Sequence, residues 1–298
     1  MTKLRGALTA LITPMTDDGA VDYDGFASLV DFQIRNSISG LVPLGTTGET
    51  PTLTEDEEDR LARIAVERAA AGPRRIPVIL GAGSNCTRDA VRYVERAQKA
   101  GADYALVVTP YYNKPSDEGI YRHFKEVARP GIPVIVYNIA GRTGKNISTP
   151  LMERLADIPG IAGVKEASGS VTQIMEVIET VRPANPDFAV LSGDDALTLA
   201  LVSLGGDGVI SVVSNLAPAE VSAMTEAALE GDFERARGLH YRLLPFMRAA
   251  FVETNPSPIK WACGRKGLPA GGLRLPLVPV TGGSEKIIEG AMKQSGLL

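Results

Sequence analysis

The sequence predicts an α/β fold, a (β/α)8 TIM barrel with a C-terminal helical extension. Short runs rich in Val, Ile and Leu recur along the chain, each ended by Gly, Pro, Thr or Asn and each followed by an amphipathic stretch of helical length. That alternation is the pattern of βα units around a parallel sheet. Eight such runs precede residue 230, and no Gly-x-Gly-x-x-Gly follows the first of them. Both facts favour a barrel over a doubly wound dinucleotide-binding sheet.

Taken in order, the predicted strands cover 7–13, 40–44, 76–81, 103–109, 132–138, 161–165, 188–192 and 208–213. A helix follows each. Thr54 with Glu57, and Ser170 with Gln173, fit the capping box, and Thr149 precedes a Pro150 expected at a first helical position. Beyond residue 230 the periodicity is helical, over 232–250, 257–266 and 283–295, with Pro/Gly-rich turns between. The expected organisation is therefore a catalytic barrel over 1–230 and a helical segment, 231–298, packed beside it.

Composition narrows the chemistry. With 298 residues, 44% hydrophobic and 22% charged, the chain has the make-up of a soluble globular protein. A net charge of −4 without a Lys/Arg run argues against nucleic acid or an anionic membrane as partner. No apolar run reaches the length of a membrane span, and Met1-Thr2-Lys3-Leu4-Arg5 does not open a secretory signal, so a cytoplasmic location is expected. Cys86 and Cys263 are far apart, as are His123 and His240, which offers neither a disulfide framework nor a zinc site. No metal and no cofactor are expected. Catalysis has to rest on Lys, Tyr, Thr, Arg or carboxylates.

A barrel of this kind places its active site at the C-terminal ends of the strands. Four predicted strand ends carry unusual polar residues: Gly45-Thr46-Thr47-Gly48-Glu49, Thr109-Pro110-Tyr111-Tyr112-Asn113, Tyr137-Asn138 and Lys165-Glu166. Lys165 closes the apolar run Ile161-Ala162-Gly163-Val164, so its amine would stand in a dry barrel mouth, where burial disfavours the ammonium. A lysine of lowered pKa attacks carbonyls and forms a Schiff base. The competing reading is a strand-end lysine paired with Glu166. Tyr137, on the neighbouring strand, could shuttle protons or merely plug the barrel end. Thr46 and Thr47 offer hydroxyls and backbone amides in a glycine-flanked turn that could cradle a carboxylate. Arg142 could clamp a second carboxylate or lie in solvent.

At these residues the sequence resembles the dihydrodipicolinate synthase and N-acetylneuraminate lyase superfamily, from about Gly6 to the C-terminus. The likeness is carried in order by Gly45–Glu49, Thr109–Asn113, Tyr137-Asn138, Arg142–Gly144, Val164–Glu166, Ser192-Gly193-Asp194-Asp195 and Gly208–Ser211. Phe251-Val252-Glu253, Asn255-Pro256 and Lys260-Trp261-Ala262 extend it. The resemblance implies that Lys165 is the Schiff-base lysine and Tyr137 the acid/base beside it. It implies that Thr46 links Tyr137 to Tyr112, with Tyr112 reaching in from a neighbouring subunit of a homotetramer built as a dimer of dimers. Thr46 and Thr47 would hold the pyruvate carboxylate, Gly193 and Ile210 would line the site through backbone groups, and Arg142 would bind the carboxylate of an aldehyde co-substrate. The implied reaction condenses pyruvate with L-aspartate 4-semialdehyde to 4-hydroxy-tetrahydrodipicolinate, for lysine and diaminopimelate synthesis. Sialic acid lyases generally lack the Arg-Thr-Gly of Arg142–Gly144, which favours the synthase branch over a pyruvate-releasing aldolase acting on a sugar acid or hydroxyproline-derived substrate. A non-catalytic 2-oxo acid sensor would be expected to have lost Lys165 or Tyr137.

Two departures carry expectations of their own. Tyr137-Asn138-Ile139-Ala140 lacks the proline usual after that pair, so the Arg142 loop is expected to lose rigidity. On the resemblance, a feedback site for lysine would map to Thr50, Pro51, Glu55, Glu58, Asn85, Asp89 and Tyr111; only Asn85, Tyr111 and Glu58 fit the sensitive pattern, with Glu55 where histidine is common and Asp89 where a longer Glu would grip the ligand's amine. Weak or absent inhibition by lysine is expected.

Overall fold

The computed structural model describes residues 3–298. Eight strands, β1 (Gly6–Ala10), β2 (Gly40–Val42), β3 (Ile79–Gly81), β4 (Tyr104–Val108), β5 (Val134–Asn138), β6 (Ile161–Glu166), β7 (Ala189–Ser192) and β8 (Gly208–Ser211), pair in parallel. Their order is β2-β1-β8-β7-β6-β5-β4-β3, and a parallel bridge between Leu41 and Val78 joins the two ends of the sheet. A helix covers each crossover, so the predicted (β/α)8 architecture is the observed one.

The observed strands are shorter than the predicted runs for local reasons. Pro77 and Pro133 have no N–H to give to a ladder, and β3 and β5 begin beyond them. Strand β2 stops before Pro43 and Leu44, the latter turned left-handed at φ 59°. Of the expected caps, Thr54 and Glu57 form the full reciprocal box. Ser170 accepts from the Gln173 amide, but the Gln173 side chain goes elsewhere. Ser148 occupies the N-cap position of the helix Thr149–Ala156 without a side-chain bond, which places Pro150 one position later than expected.

Two apolar layers follow from the alternation of strand side chains. The outer layer lies between strands and helices; the inner one fills the barrel with Leu8, Ile79, Leu106, Ile135, Leu191 and Ile210. Burying each such side chain contributes about 1.5–3 kcal/mol relative to leaving it in water.

One irregularity decides which residue of β6 faces the interior. Val134 pairs with Ile161, but Ile135 pairs with Gly163, leaving Ala162 as an extra residue in a bulge. Ile161 packs in the outer layer, and simple alternation from there would turn Lys165 outward as well. The bulge reverses the phase, pairs Lys165 with Tyr137 and Glu166 with Asn138, and sends Lys165 inward. Gly163 is required beside it, since a Cβ there would lie 2.5 Å from the backbone oxygen of Ala189.

Helices Phe233–Ala249, Ser257–Arg265 and Gly282–Gln294 follow the barrel. Their buried residues, among them Leu243, Phe246, Ile259 and Ile288, join the outer core. Between the last two of these helices the chain returns to the rim, where Gly271 bridges to Met15. Lys260, 2% exposed, reaches the loops after β1 and β2. Among the described residues no helix is long and apolar enough to cross a membrane.

Candidate active site

Strands β2, β5, β6 and β7 end around a cavity of about 510 Å³. Lys165, Tyr137, Thr46, Thr47, Arg142 and Gly193 line it. The Lys165 amine stands 4.2 Å from the centroid of the Tyr137 ring. Lys165 is 6% and Tyr137 7% exposed, so both polar heads are largely shielded from bulk water.

That setting moves both ionisations. Burial pushes Lys165 down to about 8; the buried carboxylate of Asp195 opposes the shift and the Arg142 guanidinium adds to it. Burial pushes Tyr137 up to about 12, with Arg142 opposing, so near neutral pH the phenol keeps its proton. A neutral amine facing a protonated phenol can attack a carbonyl while the phenol donates to the developing alkoxide.

Glu166 is no partner for Lys165. It faces away from the interior, where its carboxylate accepts from Asn138, the Ser168 amide and Gln173 at 2.7–3.2 Å. The anion that acts on Lys165 is Asp195, 1% exposed. Its Oδ1 accepts from the Ser211 hydroxyl at 2.5 Å and its Oδ2 from the Val212 amide at 2.9 Å. A search of strand ends passes over it because it lies in the short turn beyond β7, within the Ser192–Asp195 run.

Thr46 and Thr47 occupy a 3-10 turn, Thr46–Gly48, set between left-handed Leu44 and Glu49. Thr13 donates to Gly48 O at 2.7 Å and Thr50 to Gly45 O at 3.0 Å, which pins the turn from both sides. Glu49 anchors its far end in a buried pair with Lys260, Nζ to Oε1 2.6 Å, and Lys260 also donates to Thr13 O and Gly272 O. At Gly193 a Cβ would lie 2.7 Å from Ala167 Cβ and 3.1 Å from Lys165 Cε, so glycine leaves room for the lysine stem and its neighbour.

Arg142 rides on a helical turn, Ala140–Thr143, that the sequence pattern does not predict. The Thr143 hydroxyl lies 3.1 Å from Ile139 O and 2.8 Å from Lys145 O, and Gly144, at φ 70°, closes the turn onto Ala140 O. In place of the usual proline, helical bonding orders this turn. The guanidinium donates to Asn255 O at 3.3 Å. Asn255 itself donates to Thr47 Oγ1 at 3.0 Å and also lines the cavity. It lies outside the barrel strands, so a search of strand ends does not reach it.

Two expected residues do not line the cavity of their own chain. Ile210 is fully buried in the inner layer below the site. Tyr112, left-handed at φ 69° and 89% exposed, points its phenol into solvent. The cavity continues outward past Thr50, Pro51, Glu55 and Glu58 to Arg96. There Arg96 pairs with Glu58 and Asp59, each at 2.8 Å, and Arg92 pairs with Glu55 at 2.6 Å. His123 lies outside, against Thr87 at 3.0 Å, its imidazole pushed down to about 4 by burial.

Comparison with known proteins identifies the family and the fold. The family model for the dihydrodipicolinate synthetase family matches residues 3–295. The chain is 50% identical over 275 residues to 4-hydroxy-tetrahydrodipicolinate synthase of Protochlamydia amoebophila, covering 92% of this chain and 91% of that one. It superposes with a TM-score of 0.95 on dihydrodipicolinate synthase of Thermotoga maritima, at 42% identity over 99% of this chain and 100% of the other. A lysine-bound synthase from Cyanidioschyzon merolae gives a TM-score of 0.95 at 40% identity, covering both chains fully.

Proposed function

The chain belongs to the dihydrodipicolinate synthetase family, and from that premise we propose that Lys165 is its Schiff-base lysine and Tyr137 the proton donor and acceptor beside it. The chain is a lyase that condenses pyruvate with L-aspartate 4-semialdehyde to 4-hydroxy-tetrahydrodipicolinate, a step of lysine and diaminopimelate synthesis. The observation that carries the residue assignment is the in-register pair of Tyr137 and Lys165 at the dry end of β5 and β6.

The Lys165 amine attacks the pyruvate carbonyl, and loss of water gives an iminium that draws electrons from the adjacent methyl group. Removal of a methyl proton leaves an enamine, whose carbon attacks the aldehyde. Tyr137 supplies and recovers protons at the oxygen that leaves or forms. Thr46 and Thr47 hold the pyruvate carboxylate, Gly193 lines the site beside the Lys165 stem, and Arg142 takes the carboxylate of the semialdehyde. The exposed Tyr112 phenol suits a role across a subunit interface, in a relay through Thr46 within a homotetramer that works in the cytoplasm. Sedimentation that finds only monomer in a fully active preparation would remove that role.

Lysine inhibits weakly in this reading. The carboxylates of Glu55 and Glu58, which would meet a ligand's ammonium, are already paired with Arg92 and Arg96. Half-inhibition below millimolar lysine would overturn the expectation.

Borohydride trapping with pyruvate, followed by peptide mass analysis and run beside a coupled assay with aspartate semialdehyde, tests the mechanism. A pyruvyl adduct on Lys165 with turnover is expected. An adduct without turnover assigns the same chemistry to a different aldehyde, and absence of an adduct on Lys165 removes the mechanism.

A further inference from the structure

The polar residue that joins the barrel rim to the C-terminal segment at the cavity is Asn255, 5% exposed, between helices Phe233–Ala249 and Ser257–Arg265. Its side-chain nitrogen donates to Thr47 Oγ1 at 3.0 Å, and its backbone oxygen accepts from the Arg142 guanidinium at 3.3 Å. Its side-chain oxygen is buried without a hydrogen-bond partner among the described residues. A buried amide left half-satisfied costs stability, and such a cost persists where the group serves another purpose.

We propose that Asn255 is the positioning residue for both carboxylate grips of the site: it orients the Thr47 hydroxyl as a donor toward the pyruvate carboxylate and tethers Arg142 toward the carboxylate of the aldehyde. The chemistry of the hydroxyl supports the first half. A hydroxyl has one hydrogen and two lone pairs, so a Thr47 oxygen that accepts from Asn255 keeps its hydrogen for an acceptor in the cavity that Thr47 lines. The tether supports the second half. Arg142 stands on a four-residue turn, Ala140–Thr143, and the bond to Asn255 O ties its flexible side chain to a buried point of backbone. One residue thus sets the spacing between the two grips, which is the spacing of the carboxylates the two substrates must present when their carbons meet.

This inference rests on the proposed function, and the test separates the two. Asn255→Asp keeps the shape but replaces the donor by an acceptor, which captures the Thr47 hydrogen and adds a negative charge beside both grips. The expected result is a KM raised about 10-fold or more for each substrate, with kcat at saturation changed less than about threefold. Asn255→Ala combined with Thr47→Val gives a second reading. The double variant is expected to bind pyruvate no more weakly than Thr47→Val alone, as residues acting through one another do. A purely structural Asn255 would instead lower kcat and melting temperature and give additive effects, and that result, or an unchanged KM for either substrate, overturns the inference. Failure of the unaltered protein to form a pyruvyl adduct on Lys165 would be the failure of the mechanism itself. A normal adduct with unchanged KM values in Asn255→Asp would sink the positioning role alone.

Discussion

The rim built by β5 and β6 and the segment from Asn255 to Gly272 meet at the same cavity by different means. At the rim, Tyr137 and Lys165 are neighbours because the ladder makes them so. In the segment, Asn255 and Lys260 reach partners 208 and 211 residues away, Thr47 and Glu49, through side-chain bonds that no ladder dictates. The proposed reacting groups are thus held by backbone pairing, whereas the proposed substrate grips are held by distant polar contacts. Changes at the rim should therefore strike the chemical step, and changes in the segment should strike stability and binding.

Lys165→Ala gives the largest effect, a loss of at least about 10⁴-fold in kcat with no trapped adduct. A residual adduct would mean that a second amine reacts. Tyr137→Phe keeps the ring and should lower kcat about 10²- to 10³-fold in steady-state assays while leaving denaturant stability nearly intact. Lys260→Met reverses the balance. It strands the Glu49 carboxylate, 2% exposed, and should cost about 3–5 kcal/mol in urea unfolding. Full kcat should survive in whatever fraction stays folded. A variant that melts normally yet has lost kcat would erase the contrast between the two regions.

The smallest effect is on pH dependence. With Lys165 at about 8, adduct formation at limiting pyruvate should rise about tenfold per pH unit below that value and level off above it. Arg142→Ala removes a cation that lowers Lys165, so the midpoint should move to higher pH. A midpoint that stays in place or moves down would show that the two groups are not coupled in this way.

The same contrast separates the features that are legible in the sequence from those that are not. All eight strands announce themselves as apolar runs cut by Pro, Gly or Asn, and Lys165 and Tyr137 stand out because they interrupt such runs at the end. The bulge at Ala162 is invisible in the residue pattern, since a parallel strand buried on both faces shows no alternation that would reveal its phase. Asp195 and Asn255 each belong to a recognisable motif, yet neither carries a local signal of what it does. One acts through burial beside the ladder and the other across 208 residues. The helical turn under Arg142 is only four residues long, Ala140–Thr143, too short for any periodicity to register.

The bulge also makes the catalytic strand unequal in its tolerance of changes in length. Between Ile161 and Lys165 the chain holds one residue more than its neighbour needs, and Ala162 is where that slack is stored. Deleting Ala162 would iron the ladder flat and still leave the amine opposite Tyr137. Adding a residue after Gly163 would present Val164 there instead and turn the amine toward the helices, which on the proposed mechanism silences the enzyme with every side chain of the site still in its sequence.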